Sequence, residues 1–454
     1  MDEVVKNHTL ADLTRALAER AIALRYDELS ARVRELAGQC ILDYLGVAIA
    51  GSQDPLVRIL LDEMAEAGGS PQSSIIGHSV RLPVVSAALV NGSAAHALDY
   101  DDVNMAMPGH PSVPILPGLL ALAELKESSG TEVITAFVAG YETACRIGAA
   151  LQPGHYNLGF HSTGTVGCFG AAAACARLLG LDAEATAMAL GIAGTQAAGL
   201  KSQFGTMCKP FHAGKAAQNG LLAARLAQRG FSSRTDIVEC VQGFALTHGP
   251  DFAPKAALAM PEAGFHLLAN LFKYHAACYF THAPIECARR LRVEHRLTPD
   301  MIAAITLRLD GSCDRVCNIP VPVDGLQSKF SLRQTVAMAL AGIDTASLDV
   351  YSAENTCDAA LVGLRERVRF DWQHNWPQTL CELELELFDG RRLSTRHDAG
   401  IPAADIAEQG ARLAAKFDVL VAPVLGASRA RELREMISGL DNVADIRGLT
   451  RLTA

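Results

Sequence analysis

Apolar positions recur with a helical period through the first part of the chain. Val33, Leu36, Ala37, Cys40, Ile41, Tyr44, Leu45 and Ala48 form an i, i+3, i+4, i+7 stripe, the signature of an amphipathic helix. Similar patterns predict helices over 83–98, 117–127, 131–151, 164–180, 182–199, 213–229 and 234–242. Gly130, Gly180 and Gly230 stand where helix ends are expected, since glycine enters the left-handed region without steric cost. Thr9 with Asp12 resembles a capping box with Asp in place of the usual Glu. The many Ala and Gly residues predict close helix–helix approach in a compact bundle.

The period changes near residue 270. Ile305, Leu307 and Leu309 alternate with Thr306 and Arg308, and in 381–388 Leu383, Leu385 and Leu387 alternate with Glu382, Glu384 and Glu386. Both are half-buried strands. A two-residue Asp389-Gly390 turn would oppose Glu386 to Leu393 and mix the faces. A three-residue loop from Phe388 to a left-handed Gly390 instead opposes Leu385 to Leu393, Glu386 to Arg392 and Glu382 to Arg396, so the bulged hairpin is predicted. Helices are expected over 284–292, 329–342 and 354–366, and again over 403–417 and 428–439. The fold class is therefore mainly α with a smaller α+β domain. Residues 1–270 and 402–454 form the helical domain, and 271–401 the α+β domain with a small antiparallel sheet.

Composition narrows the class. The chain has 454 residues, 50% hydrophobic and 20% charged, enough apolar material for two domains of a soluble globular protein. The formal net charge of −9 argues against general nucleic-acid binding. That sum conceals a local excess: between Thr143 and Thr235 there are eight Lys or Arg and two acids, a net of +6 that leaves −15 elsewhere. A stretch of one sign suits a small polyanionic ligand if its charges converge. The twelve cysteines include no C-x-x-C pair, so they read as small buried hydrophobes in a reducing, cytoplasmic setting rather than as metal ligands or disulfides. No secretory signal is expected, because MDEVVKNHTL lacks a basic region followed by an apolar stretch, and no membrane span, because the most apolar segments are interrupted by Glu142, Arg146 and Arg177.

Four segments carry candidate chemistry. HALDYDD, 96–102, followed by GHPSVP, 109–114, sets Asp99, Asp101 and Asp102 just past a helical pattern and near His110. Such acids orient a histidine or bind a cation; the plainer reading is solvated loop acids. A DDxxD diphosphate–metal motif would need an acid at 105, where Met105 stands. In GFHSTGTVGCFGAAAA, 159–174, Gly164, Gly167 and Gly170 read mainly as a packing device. His161, Ser162 and Thr163 precede or open that helix, where free N–H groups favour an anion. In GTMCKPFHAGKAAQNG, 205–220, Lys209, His212 and Lys215 form either a solvated basic turn or an anion site with an acid or base. KYHAACYFTH, 273–282, brings Tyr274, His275 and His282 to the change of texture, as aromatic core or as a cleft wall.

Taken in order, these segments resemble the MmgE/PrpD family: NGSAAHALDYDD with GHPSVPILP, FHSTGTVGCFGAAAA, KPFHAGKAAQNG and KYHAACYFTH. That family includes 2-methylcitrate dehydratase, cis-aconitate decarboxylase and iminodisuccinate epimerase. The resemblance implies a helical domain with an inserted α+β lid domain, a homodimer, and no metal or organic cofactor. Carried over residue by residue, His110, His161, Lys209, His212 and His282 match family positions. Where the decarboxylase branch has a His this chain has Cys278, and Gln334 aligns with a Tyr, which counts against decarboxylation. The run from His110 to Pro114 departs from the H-P-S-D-N of the dehydratase. The expected function is a cofactor-independent hydro-lyase acting on a small di- or tricarboxylate by proton abstraction beside a carboxylate, with epimerisation and decarboxylation as alternatives. A helical binding protein that has lost activity is the non-enzymatic alternative. Expected catalytic residues are Asp99, His110, His161, Lys209, His212 and Tyr274. Asp102, Ser162, Thr163, Lys215, His275 and His282 are expected to bind substrate. No metal site, nucleic-acid partner or membrane partner is expected.

Overall fold

The computed structural model describes residues 12–454. The chain divides into two compact units, one comprising Met1–Asn270 with Ala403–Ala454, the other Leu271–Pro402. The class is mainly α with an α+β part, as the apolar periods predict.

The first unit is built from helices α1 (Leu13–Ala23), α2 (Ala31–Gly51), α3 (Pro55–Ala67), α4 (Val84–His96), α5 (Ser112–Lys126), α6 (Gly130–Leu151), α7 (Ser162–Leu179), α8 (Ala183–Gly194) and α9 (Cys208–Gln228), with shorter turns between them. The stripe read on α2 is buried throughout. Ser30 caps α2 by accepting from the Val33 N–H, and Ser129 with Glu132 forms a full capping box on α6. Gly180 ends α7 in the left-handed region and Gly230 follows α9 in the same conformation, whereas Gly130 opens α6. The three glycines of α7 serve packing: a Cβ on Gly164 would meet the Ala198 carbonyl at 2.5 Å, on Gly167 the Pro114 ring at 2.5 Å, and on Gly170 the Ala144 Cβ at 2.9 Å.

Two local expectations differ. Thr9 lies outside the described residues, and Asp12 precedes α1 without a side-chain cap bond. Segment 234–242 is a series of turns rather than a helix. One reason covers both. Glu239 turns away to accept from the backbone N–H and hydroxyl of Thr14, so an acid distant in sequence satisfies the opening of α1. A short hairpin, β1 (Ser73–Ser74) with β2 (Arg81–Leu82), was not foreseen.

The second unit contains α10 (His282–His295), β3 (Ile302–Asp310), α11 (Leu332–Leu340), α12 (Ala359–Glu366), β4 (Val368–Gln373), β5 (Leu380–Leu387) and β6 (Arg392–Asp398). The helix read over 354–366 is split at Asp358, which caps α12 by accepting from the Leu361 N–H. The strand order is β4-β3-β5-β6. The β5–β6 hairpin has the predicted register, with Glu382 opposite Arg396, Leu385 opposite Leu393 and Glu386 opposite Arg392, and Gly390 has φ +87°. β3 is antiparallel to β5 but parallel to β4, so the sheet is mixed. The intervening helices α11 and α12 supply the long crossover that a parallel neighbour needs. Leu383, Leu385 and Leu387 are buried, and on the opposite face Arg308 bonds Asp371, Glu382 and Glu384.

After the second unit the chain returns as α13 (Ile406–Leu425) and α14 (Ala427–Ser438), and α13 packs on α2. No helix of the described residues is long and apolar enough to cross a membrane. The cysteines form no disulfide among the described residues, and most are buried.

Candidate active site

Three helix ends of the first unit deliver the candidate residues. α4 ends at His96, α7 begins just after His161, and α9 carries Lys209 and His212 on its first turns. α4 and α9 approach closely at Gly92 and Gly214: a Cβ on Gly214 would lie 2.2 Å from the Leu89 carbonyl oxygen. The loop from Ala97 to Pro111 then leads into α5. An Asn104–Gly109 bridge closes it, and the His110 N–H donates to Thr163 Oγ1 at 3.1 Å. His161 is fixed by its own N–H, which donates to the Gly199 carbonyl at 3.0 Å.

The side chains meet in a buried cluster. Asp101 lies between two imidazoles: His96 Nδ1 is 3.0 Å from Oδ1, and His110 Nδ1 is 2.9 Å from Oδ2. The second approach is off the line of the His110 ring N–H, a close polar contact rather than a well-aligned hydrogen bond. Asp99, at φ +51°, pairs with Lys209 Nζ at 2.6 Å and stands 3.7 Å from His110 Nε2. The His96 and His110 rings meet edge-on at 4.6 Å, and the His96 and His161 rings stack at 5.7 Å. His161 and His212 share one proton position, with their Nδ1 atoms 3.1 Å apart. Phe204 closes on His161 edge-on, its ring centre also 5.4 Å from Lys209 Nζ.

Burial governs protonation here. It lowers the His96 pKa to about 4, against the pull of Asp101, and it holds His161 well below the usual imidazole range, helped by the neighbouring His96 and Lys209. His212 is lowered for the same first reason, then by Lys209. These three rings are neutral at neutral pH. With its Nδ1–H directed at Asp101, His96 presents a bare Nε2 that has no hydrogen-bond partner among the described residues. For Asp101, burial alone would raise the pKa, but His110 and His96 outweigh it and hold the carboxyl well below its ordinary value. Asp102 behaves oppositely: burial, then the nearby Asp43, raises it to about 8.

His96, Asp99, Asp101 and His110 offer two nitrogens and two oxygens within 4.8 Å of one another, a donor set that suits a zinc-like ion. Tetrahedral ligands at zinc stand only about 3.4 Å apart. The set would have to contract, and the Lys209 ammonium would have to leave Asp99.

The other expected residues divide. Ser162 and Thr163 sit at the buried start of α7; the Ser162 hydroxyl has no partner among the described residues, whereas Thr163 holds His110. Asp102 is enclosed and accepts from Ser112 Oγ at 2.6 Å. Lys215 turns to Gln218. Of the eight cations of the basic stretch, Lys209 joins the cluster, while Arg146, Arg177, Lys201, Lys215 and Arg234 take partners elsewhere. In the second unit, His275 has both ring nitrogens engaged, by Glu286 at 3.0 Å and Thr345 at 2.8 Å. His282 packs edge-on to His275 and beside Tyr279, and Tyr274 is half-buried. Sequence reasoning passed over His96 and named Asp101 only among the acids that could orient a histidine or bind a cation, although both stood within the first quoted segment. Their spacing of five is the signal that was available, because a turn after a helix end folds such a pair together.

The cluster is a buried array of neutral imidazoles beside a lysine–carboxylate pair, groups able to take up and give protons, on a mainly helical two-unit scaffold. Comparison gives the chain's lineage. The MmgE/PrpD N-terminal domain model matches residues 15–256 and the C-terminal domain model matches 275–442. The chain belongs to the MmgE/PrpD family. It is 26% identical to a cis-aconitate decarboxylase of Aspergillus terreus, over 97% of this chain and 95% of that protein. It is 28% identical to the human cis-aconitate decarboxylase, over 98% and 95%, and 26% identical to the Mus musculus one, over 98% and 93%. Decarboxylases are lyases, and these relatives support a lyase-type enzyme.

Proposed function

We propose that the chain is a cofactor-independent lyase that breaks a bond beside a carboxylate of a small di- or tricarboxylate, with decarboxylation of a cis-aconitate-like tricarboxylate as its first reaction and dehydration as the second. The observation that carries this reading is the neutrality of the buried imidazoles around a single lysine. A carboxylate that leaves as carbon dioxide gives up its charge, so a neutral, water-poor environment favours its loss over its retention. The remaining carboxylates need fixed donors; Lys209 and the first N–H groups of α7 are groups of that kind. The electrons left behind spread as an enolate, and a proton must then reach carbon. The Lys209 ammonium is the acid that can give it, becoming a neutral amine, and the His161–His212 pair can pass a replacement proton from nitrogen to nitrogen. Asp99 holds Lys209, and Asp101 orients His96 and His110.

The decarboxylases among the relatives move this reaction ahead of dehydration, which residue patterns alone had favoured. Cys278 and Gln334 keep dehydration as the second reading. Gln334 is buried, bonding Arg365 and the Asn355 carbonyl, and so serves the interior of the second unit.

The test is an NMR assay, with and without chelator, over unsaturated tricarboxylates, hydroxy-tricarboxylates and chiral amino diacids. Carbon dioxide release with a new vinyl product supports decarboxylation; water loss alone supports the second reading. Exchange and racemisation without bond cleavage would defeat both. Activity that chelator abolishes and metal restores would defeat cofactor independence. Lys209→Ala and His161→Ala should keep the fold and lower turnover at least ~10²-fold.

A further inference from the structure

Two charged side chains distant in sequence meet behind the acidic loop. Lys416 lies on α13 and Asp43 on α2. The Lys416 ammonium donates to Asp43 Oδ1 at 2.7 Å and to the main-chain carbonyl of Tyr100 at 2.7 Å. It also lies 3.9 Å from the Tyr100 ring centre. Both side chains are buried, at 6% and 1% exposure.

The place of that carbonyl matters. It belongs to the peptide that joins Tyr100 to Asp101, and the residue before Tyr100 is Asp99 in its left-handed conformation. A non-glycine residue holds such a backbone only when its surroundings enforce it. Asp99 grips Lys209, and Asp101 stands between His96 and His110. Whatever fixes the Tyr100 carbonyl therefore fixes both carboxylates.

We infer that the Lys416–Asp43 pair is a positioning device: it clamps the Tyr100 carbonyl and thereby sets the carboxylates of Asp99 and Asp101 against Lys209 and the two histidines. Asp43 holds the ammonium in place, and neither residue touches the reacting atoms. The inference rests on the catalytic reading of the cluster given above.

A merely structural role would be to join α2 to α13. Replacing both members of a buried ion pair by neutral groups of similar volume is often nearly neutral for stability, whereas removing one leaves an uncompensated charge. The decisive variant of the full chain is therefore the double substitution Asp43→Asn with Lys416→Met, assayed on the best substrate of the panel beside Lys209→Ala. Its Tm should stay within about 4 °C of wild type. KM should change little while kcat falls roughly 10²-fold, the cost of a misplacement of about 1 Å. A crystal structure of the double variant should show the Asp99–Lys209 contact opened.

A kcat within about twofold of wild type, with Lys209→Ala still inactive, overturns the clamp and leaves the site reading intact. Near-normal activity of Lys209→Ala overturns the site reading, and the clamp with it. Unfolding of the double variant at assay temperature makes the pair a requirement of the fold and also overturns the proposal.

Discussion

His96 shows how a residue can sit at the centre of a buried cluster and still be hard to read. In sequence it is one histidine at the end of an apolar helix, the usual description of a satisfied core residue. Its tautomer depends on Asp101, which lies two residues beyond Asp99, where the chain turns at positive φ. With Nδ1 held by a carboxylate, the ring keeps one tautomer and offers a bare Nε2. His96→Gln should therefore fold and lose at least ~10-fold in turnover, short of the loss expected for His161→Ala; wild-type turnover in steady-state kinetics would remove His96 from the site. Asp102 makes a prediction of the opposite kind. Its carboxyl is protonated up to about pH 8 in the folded state and ionises far lower when unfolded. Across the range between, the native state binds more protons, so raising pH favours unfolding. The slope for one such group is at most about 1.4 kcal/mol per pH unit. Up to about pH 7 the buried histidines, whose pKa values burial lowers, act in the opposite sense. Stability measured by denaturant titration should therefore fall between about pH 7.5 and 8.5, and Asp102→Asn should flatten that fall. His110, His161, Lys209 and His212 were legible because each stood in a segment with its own local pattern. Asp43 and Lys416 were not, since nothing local marks a buried partner several hundred residues away.

Elements were more legible than their contacts. Alternation along 381–388 and the turn chemistry of Asp389-Gly390 determine the hairpin register, because a one-residue slip would put Glu on the buried face. The parallel β4 was not read, since its pairing is non-local and no turn announces it. The missing helix at 234–242 has the same cause: Glu239 serves α1 instead of its own segment. Small residues gave the crossings without their partners. Gly214 is the crossing that matters for the site, because it sets α9, with Lys209 and His212, against α4, with His96. A methyl group there would press on the Leu89 carbonyl and on Ser93. Gly214→Ala should cost about 1–3 kcal/mol by overpacking, and the helix ends should separate. Calorimetry and kinetics together check this. A variant as stable and as active as wild type would mean the crossing has slack that the structure does not show.

For the whole molecule, net charge proved a poorer guide than its placement. The basic stretch suggested a positive pocket, yet five of its cations bind carbonyls or acids elsewhere, and Lys209 enters the cluster already paired. Under the proposed function, recognition of a polyanion would rest on one ammonium and helix-start N–H groups rather than on a broad field. Linear order is a similarly partial guide to space. The match to the family's C-terminal domain runs to residue 442, although α13 and α14 fold with the first unit. That return supplies Lys416, so the last part of the chain completes the support of a site begun by α2 and α4. The family resemblance implies a homodimer, and closed twofold pairing is the commonest arrangement of soluble oligomers. One chain has a mass of 48.1 kDa, so sedimentation equilibrium should give about twice that value at the concentrations used for assay. Dilution that leaves the particle at single-chain mass with undiminished turnover per chain would show that the cluster of one chain is sufficient, and would detach the dimer from the catalytic reading.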